Sequence, residues 1–415
     1  MTGRRPAGSL RLFVATRSDG RHLALVQDRG LLEYRIDRPD RTSRIGDIHL
    51  GRVLRIDQAN AAGFVELGLD RPALLPLAEC GRKPVEGDAV VVQITRDARE
   101  GKGPRVTGRP VLPGLYLVLD PSRAEVGMSS RIADRDAAER LRAAVWPLCG
   151  EGLGFIVRHA ALVAAPSDLA EEAQRLRSAW RDLEARAKGL RPPALLHQDA
   201  DPLVGLLRDA GAGIGEIVVD SRAGAEILRE RLAADLPPLA DRVGFAAPRA
   251  WIPAPDEIAE QLEAALEDEV ALPGGGFLIF EPGRTLTAVD VNSGALPEGR
   301  LRQRTERRQL DVNLEAAAEI ARQLRLRNLG GIIVIDFIDV KSARARARVT
   351  EALAAALADD PAPCQIGAMS RFGLVEMTRR RRGPSLSEQL TATCPTCDGR
   401  GRVRKSAAPP PGEQP

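Results

Sequence analysis

The chain has 415 residues, 44% hydrophobic and 28% charged, with a formal net charge of +3. That length exceeds one core and implies about two to four domains, and the hydrophobic content excludes a largely disordered chain. Aromatics at 3% exclude an extended base-stacking surface, five cysteines without regular spacing exclude a secreted disulfide framework, and no run approaches the roughly 18 apolar residues of a membrane span.

Short strands are predicted first, at Leu10–Ala15, His22–Gln27 and Leu31–Arg35, with a Ser18-Asp19-Gly20 turn after the first. A polar, proline-bearing stretch around Asp37–Ser43 marks a boundary. Five more short strands follow, at Ile48–Ile56, Gly63–Glu66, Ala73–Leu75, Ala89–Ile94 and Arg105–Thr107. Five strands with Gly, Pro and charged turns fit a small closed barrel of the OB kind. Beyond it come strands at Leu115–Leu119 and Gly154–Val157. A long helix follows, capped by Ser167-Asp168 and ended by Arg191-Pro192-Pro193. Gly215–Asp220 reads as another strand, and Asp256–Glu267 as an amphipathic helix ahead of the break at Pro273–Gly276.

The block 277–390 reads as α/β. Strands at Phe277–Phe280 and Thr285–Asp290 lead to a loop and then to a helix with Leu310, Leu314, Ala317, Ala321 and Leu324 on one face. After Leu329-Gly330-Gly331, the run Ile332–Ile335 predicts a strand buried on both faces. The Pro- and Ala-rich tail after Arg404 is expected to be disordered, and no internal repeat is evident.

Two acids stand where apolar strands run out, Asp290 in Thr287–Asn292 and Asp336 in Val334–Asp339. Ligand sites of α/β sheets gather at the carboxyl ends of strands. Two carboxylates there make a half-cage for Mg²⁺, or else they are strand-end caps. Cys394-Pro-Thr-Cys397, with Gly399 and Gly401 behind it, suits tetrahedral Zn²⁺. No second C-x-x-C exists, so two protomers would each supply one pair. Cys80, Cys149 and Cys364 read as inert core or loop residues. On the barrel, Phe64 and Lys102 offer a stacking face and an amine for a phosphate, or Phe64 is core. Arginines crowd Arg300–Arg308, Arg344–Arg348 and Arg379–Arg382, as solvated faces or nucleic-acid contacts. Arg4-Arg5 lacks the apolar run of an export signal, so a cytoplasmic chain is expected.

Taken together, the sequence resembles the ribonuclease E/G family, in its short ribonuclease G form. The matching stretches are Asp290-Val-Asn292-Ser293, Asn313-Leu-Glu-Ala-Ala, Glu319–Asp339, Ser370-Arg-Phe-Gly-Leu374 with Glu376-Met377, and Cys394-Pro-Thr-Cys397. The resemblance implies an α/β multidomain chain: an RNase H-like domain (1–43 and 204–266) interrupted by an OB-fold RNA-binding barrel (44–113) and a 5′-sensor region (114–203). A DNase I-like catalytic subdomain (267–390), a zinc-link (391–403) and a disordered tail (404–415) complete it. It further implies a Mg²⁺-dependent endoribonuclease, a hydrolase acting on single-stranded RNA in mRNA decay and rRNA processing. Products would carry 5′-monophosphate and 3′-hydroxyl ends.

In that family the residues matching Asp290 and Asp336 bind Mg²⁺, and the one matching Asn292 orients the first carboxylate and the scissile phosphate. Arg158 matches the arginine that grips the 5′-monophosphate. Cys394 and Cys397 match the pair that shares Zn²⁺ with a second subunit, building dimers that pair into a homotetramer. Departures are informative. His159 stands where a threonine usually follows the sensor arginine, Leu74 replaces the second stacking aromatic, and the usually acidic loop between the catalytic strands reads Leu301-Arg-Gln-Arg-Thr-Glu-Arg-Arg308. Pro361-Ala-Pro363 occupies a turn that often carries a basic residue. The alternatives are an RNA-binding or assembly protein whose catalysis has faded, and a nuclease that also cuts DNA. Joint retention of Asp290, Asn292 and Asp336 favours the RNA-cutting enzyme.

Overall fold

Three short, largely apolar runs fold as an antiparallel meander: β1 (Leu10–Arg17), β2 (Gly20–Gln27) and β3 (Gly30–Asp37). The computed structural model describes residues 10–28, 30–38, 43–81, 83–98, 102–150, 152–199, 201–246, 255–294, 302–399 and 401–403. The tail expected to be disordered lies outside them. Next come β4 (Ile48–Asp57), β5 (Ala62–Glu66), β6 (Ala73–Pro76), β7 (Ala89–Arg96) and β8 (Arg105–Thr107). β4 pairs with both β5 and β7, and β8 links β6 to β7, so this sheet closes as the five-stranded barrel read from the sequence. Val53, Val65, Leu75, Val92, Ile94 and Val106 fill its interior.

A third sheet is built from β9 (Leu112–Pro113), β10 (Leu117–Asp120), β11 (Val126–Met128) and β12 (Gly154–Val157). Against it pack α1 (Arg135–Val145) and α2 (Pro166–Gly189). The strand expected at Leu115 begins two residues later because a buried acid claims the backbone there. Glu172 of α2 accepts the N–H groups of Leu115, Tyr116 and Leu117, each at 2.7 Å. Ser167 is not the cap of α2. Ala165 holds that position, and the Asp168 carboxylate reaches back to accept its N–H at 3.0 Å. β13 (Ala194–His197), read as part of the sensor region, pairs with β4 and extends the barrel sheet.

α3 (Pro202–Ala210), β14 (Ile214–Val219), α4 (Arg222–Asp235), α5 (Pro237–Ala240) and β15 (Val243–Phe245) return the chain to the first sheet. Its order is β15-β14-β1-β2-β3, with β14 parallel to both β1 and β15. Both faces are buried. Leu12 and Val14 enter one core, while Phe13 and Ala15 enter another with Ile258 of α6 (Pro255–Ala264).

The last block contains β16 (Glu269–Ala271), β17 (Phe277–Pro282), β18 (Leu286–Asn292), α7 (Arg302–Leu326), β19 (Gly331–Asp336), α8 (Ala343–Ala356), β20 (Cys364–Ile366), β21 (Leu374–Arg379) and α9 (Leu386–Leu390). The sheet order is β16-β17-β18-β19-β21-β20, with β18 and β19 parallel. A parallel pair needs a crossover, and α7 supplies it. Two expectations are corrected here. From Arg302 onward the presumed arginine-rich loop is the start of α7, a run of Arg, Gln and Glu around a single Thr305, with no Gly or Pro to stop a helix. Nor is Ile332–Ile335 buried on both faces. α7 and α8 cover one side, where Ile333 and Ile335 are fully buried, while Ile332 on the other is 52% exposed. None of the described helices is long and apolar enough to cross a membrane.

Candidate active site

The crossover through α7 sets β18 and β19 side by side with their carboxyl ends level, and Asp290 pairs in register with Asp336. Both are exposed at the rim of the sheet. Asn292, two residues past Asp290 on the same strand face, donates its side-chain N–H to the Asp290 carboxylate at 2.8 Å. Burial, and then the charges of Asp290 and Asp339, push the Asp336 carboxyl above the usual carboxylate range. A divalent cation would relieve that repulsion, and two carboxylates are a usual protein share for Mg²⁺. Among the described residues no group of three or more His, Cys, Asp or Glu side chains is placed to hold a metal. The acids therefore offer a two-carboxylate half-cage.

Two supports of this rim lie in stretches that the sequence matched by resemblance without giving them a role. Asn313 of α7, fully buried, donates to the Ile338 carbonyl at 2.8 Å and accepts the Ile338 N–H at 3.0 Å, pinning the segment after Asp336. The Ser370–Gly373 turn abuts the same segment, because the Gly373 carbonyl accepts the Phe337 N–H at 3.3 Å.

Arg158 lies just past β12, with its guanidinium half-buried. It donates to the Arg208 carbonyl at 3.0 Å and to the Asp209 carboxylate at 3.3 Å. Burial lowers its pKa from the usual arginine value, against the opposing charge of Asp209. Arg382 grips the other oxygen of Asp209, so two arginines converge on one acid. His159 opens the short turn His159–Val163 and is half-buried. The basic block Arg379–Arg382 is thus not a uniform outer face. Arg379 is buried in a bidentate pair with Asp360 at 2.8 and 3.0 Å, and Arg382 belongs to Asp209.

On the barrel, Phe64 of β5 stands opposite Leu74 of β6. Phe64 is half-buried and Leu74 is 37% exposed. The Arg55 guanidinium lies 4.7 Å from the Phe64 ring centre, a cation on that face which sequence reading missed. Lys102 is exposed in the segment entering β8. This segment runs along β6, since the Leu74 N–H donates to the Pro104 carbonyl at 2.8 Å.

The cysteine pair forms a turn closed by the Asp398 N–H on the Cys394 carbonyl at 2.9 Å. The exposed Cys394 thiol is held below the usual cysteine range by hydrogen bonds from the backbone of Cys397 and Thr396. That favours the thiolate a metal requires, and the turn offers two of the four ligands of a structural zinc site. By contrast, burial raises Cys80, Cys149 and Cys364, the last to about 11.

Residues 111–382 match the family model described as the ribonuclease E/G family. Over 412 residues the chain is 35% identical to ribonuclease E of Haemophilus influenzae, covering 95% of this chain and 44% of that protein. It is likewise 35% identical to ribonuclease E of Escherichia coli, covering 39% of that length. With ribonuclease G of Escherichia coli it shares 36% identity over 399 residues, 91% of this chain and 81% of the relative. The chain therefore spans less than half of the ribonuclease E relatives and most of the ribonuclease G one.

Proposed function

The chain belongs to the ribonuclease E/G family, and we propose that it is an endoribonuclease that cuts single-stranded RNA at Asp290 and Asp336. One observation carries this reading: the two acids lie in register at the carboxyl ends of adjacent parallel strands, with Asn292 bonded to the first. A Mg²⁺ ion held by Asp290 and Asp336 would polarise the phosphodiester and lower the pKa of the attacking water. Asn292 fixes the orientation of the Asp290 carboxylate. Phe64, Arg55 and Lys102 on the barrel hold the strand by stacking and by phosphate charge. Arg158 receives a 5′-terminal phosphate beside Asp209, with His159 at the pocket edge. Cleavage leaves 5′-monophosphate and 3′-hydroxyl ends.

In this reading β15-β14-β1-β2-β3 is the RNase H-like domain, interrupted by the OB barrel and the sensor sheet, and 267–390 is the DNase I-like subdomain. Cys394 and Cys397 share Zn²⁺ with a second chain, giving dimers that pair as tetramers in the cytoplasm. RNA processing and decay are the cellular context. The test is incubation of 5′-labelled single-stranded RNA and matched DNA with Mg²⁺ or EDTA. RNA cut only with Mg²⁺ supports the reading, and intact RNA under all conditions rejects it.

A further inference from the structure

Aromatic side chains are few in this chain, so one left in solvent beside a nucleic-acid site is informative. Phe372 is 66% exposed. Single exposed apolar residues are common and alone mean little. Three independent features separate this one from that background.

The first is a rigid mount. Ser370 accepts the N–H of Phe372 at 3.2 Å and that of Leu374 at 3.3 Å on its hydroxyl, and its own N–H donates to the Leu374 carbonyl at 2.8 Å. Gly373, at φ +83°, closes the turn with a backbone conformation that L side chains rarely adopt. The second is position. A Cβ built on Gly373 would lie 2.8 Å from the Phe337 carbonyl, 3.3 Å from the Asp339 carboxylate and 3.8 Å from that of Asp336. The turn is therefore in contact with the acidic rim, and a larger residue at 373 would crowd it. The third is electronic. The Arg371 guanidinium lies 4.8 Å from the Phe372 ring centre, a cation–π contact that stiffens the ring.

Resting on the endoribonuclease reading, we propose that Phe372, backed by Arg371, is a stacking platform for the base next to the phosphodiester that is cut. A nucleobase stacks on an aromatic face whatever its identity. Such a platform would hold one nucleotide in register with Asp290 and Asp336 without imposing a strict sequence.

The test uses the full chain and single-stranded RNA oligonucleotides. F372A, which removes an exposed ring and leaves the fold intact, should lower kcat/KM roughly tenfold, and F372W should restore most of the loss. Substrates carrying one abasic nucleotide, moved stepwise past the cut, locate the base involved. Wild type should lose rate at one flanking position, and F372A should lose no more there. The same penalty in both proteins, or F372A cutting at the wild-type rate, overturns the platform. A 2-aminopurine base at that position, read in EDTA, should be quenched on binding to wild type and less on binding to F372A. Quenching without any cleavage in Mg²⁺ would reject the endoribonuclease reading and retain the platform, whereas equal or absent quenching rejects the platform whatever the activity.

Discussion

Asp290 and Asp336 stand opposite each other in register on the parallel strands β18 and β19, although 46 positions separate them in the sequence. The whole of α7 intervenes, and its buried Asn313 is bonded on both sides to Ile338, just past Asp336. The helix that makes the crossover therefore also pins the loop beside the second acid.

The proposed 5′-phosphate role of Arg158 predicts a graded response. Asp209 is shared by Arg158 and Arg382, so removing one arginine leaves the acid paired and the fold intact. R158A should bring the rate ratio for 5′-monophosphate over 5′-hydroxyl RNA close to one, since a charge-assisted contact is lost. H159T, which supplies a hydroxyl donor, should raise the ratio. Matched oligonucleotides cut by each protein measure it, and an unchanged ratio in R158A would remove Arg158 from the pocket.

Leu74 opposite Phe64 predicts a gain of function. L74F would set two aromatic faces on neighbouring strands, and each stacked base adds about 1–3 kcal/mol. Fluorescence anisotropy with single-stranded RNA should show tighter binding for L74F and weaker binding for F64A. If neither changes affinity, the RNA path does not cross this face.

Apolar runs bounded by turn residues made most of the strands legible, including all five barrel strands and the two that carry Asp290 and Asp336 near their carboxyl ends, whereas α1, α3, α4, α5, α8 and α9 were not named. What escaped depends on partners remote in sequence. Arg158 meets Asp209 from 51 residues away, and Arg382 reaches the same acid across 173, so no local pattern announces the cluster. Glu172 displaced a predicted strand start in the same way, through backbone bonds spanning 55 to 57 residues. The arginine-rich start of α7 was misread for a different reason. The loop after Asp290 was drawn too long because the apolar face of the helix begins only at Leu310, whereas the composition from Arg302 already favours helix.

Glu33 links β3 to α7, accepting from Arg35 and Arg325, each at 2.7 Å, while only 5% exposed. Burial alone would raise its pKa, but the charges of Arg35, Arg325 and Arg382 outweigh it and hold the group at about 2. The folded value lies below the unfolded one of 4.5, so this stabilisation is complete above 4.5 and lost as pH falls toward about 2. E33Q should cost about 3 kcal/mol at neutral pH, because half-buried arginines lose their counter-charge. Its gap from wild type should narrow in acid. Urea titrations at neutral pH and at about pH 3 check this, and a gap that does not narrow would contradict it.

In the proposed zinc site the cysteine turn supplies two sulfur ligands and needs two more, so purified protein should contain one Zn²⁺ per two chains. C394S should lose that metal and sediment as a smaller species. One zinc per chain, or a wild-type oligomer without zinc, would show that the pair is not shared.

The paired acids are tested most directly by D290N and D336N, each assayed for RNA cleavage and for RNA binding in the same preparation. In the proposed reading affinity comes mainly from phosphate and stacking contacts other than the two acids, so both variants should bind within a few-fold of wild type while cleavage in Mg²⁺ disappears. Either variant cutting RNA at the wild-type rate would contradict the assignment of Asp290 and Asp336 as the catalytic centre.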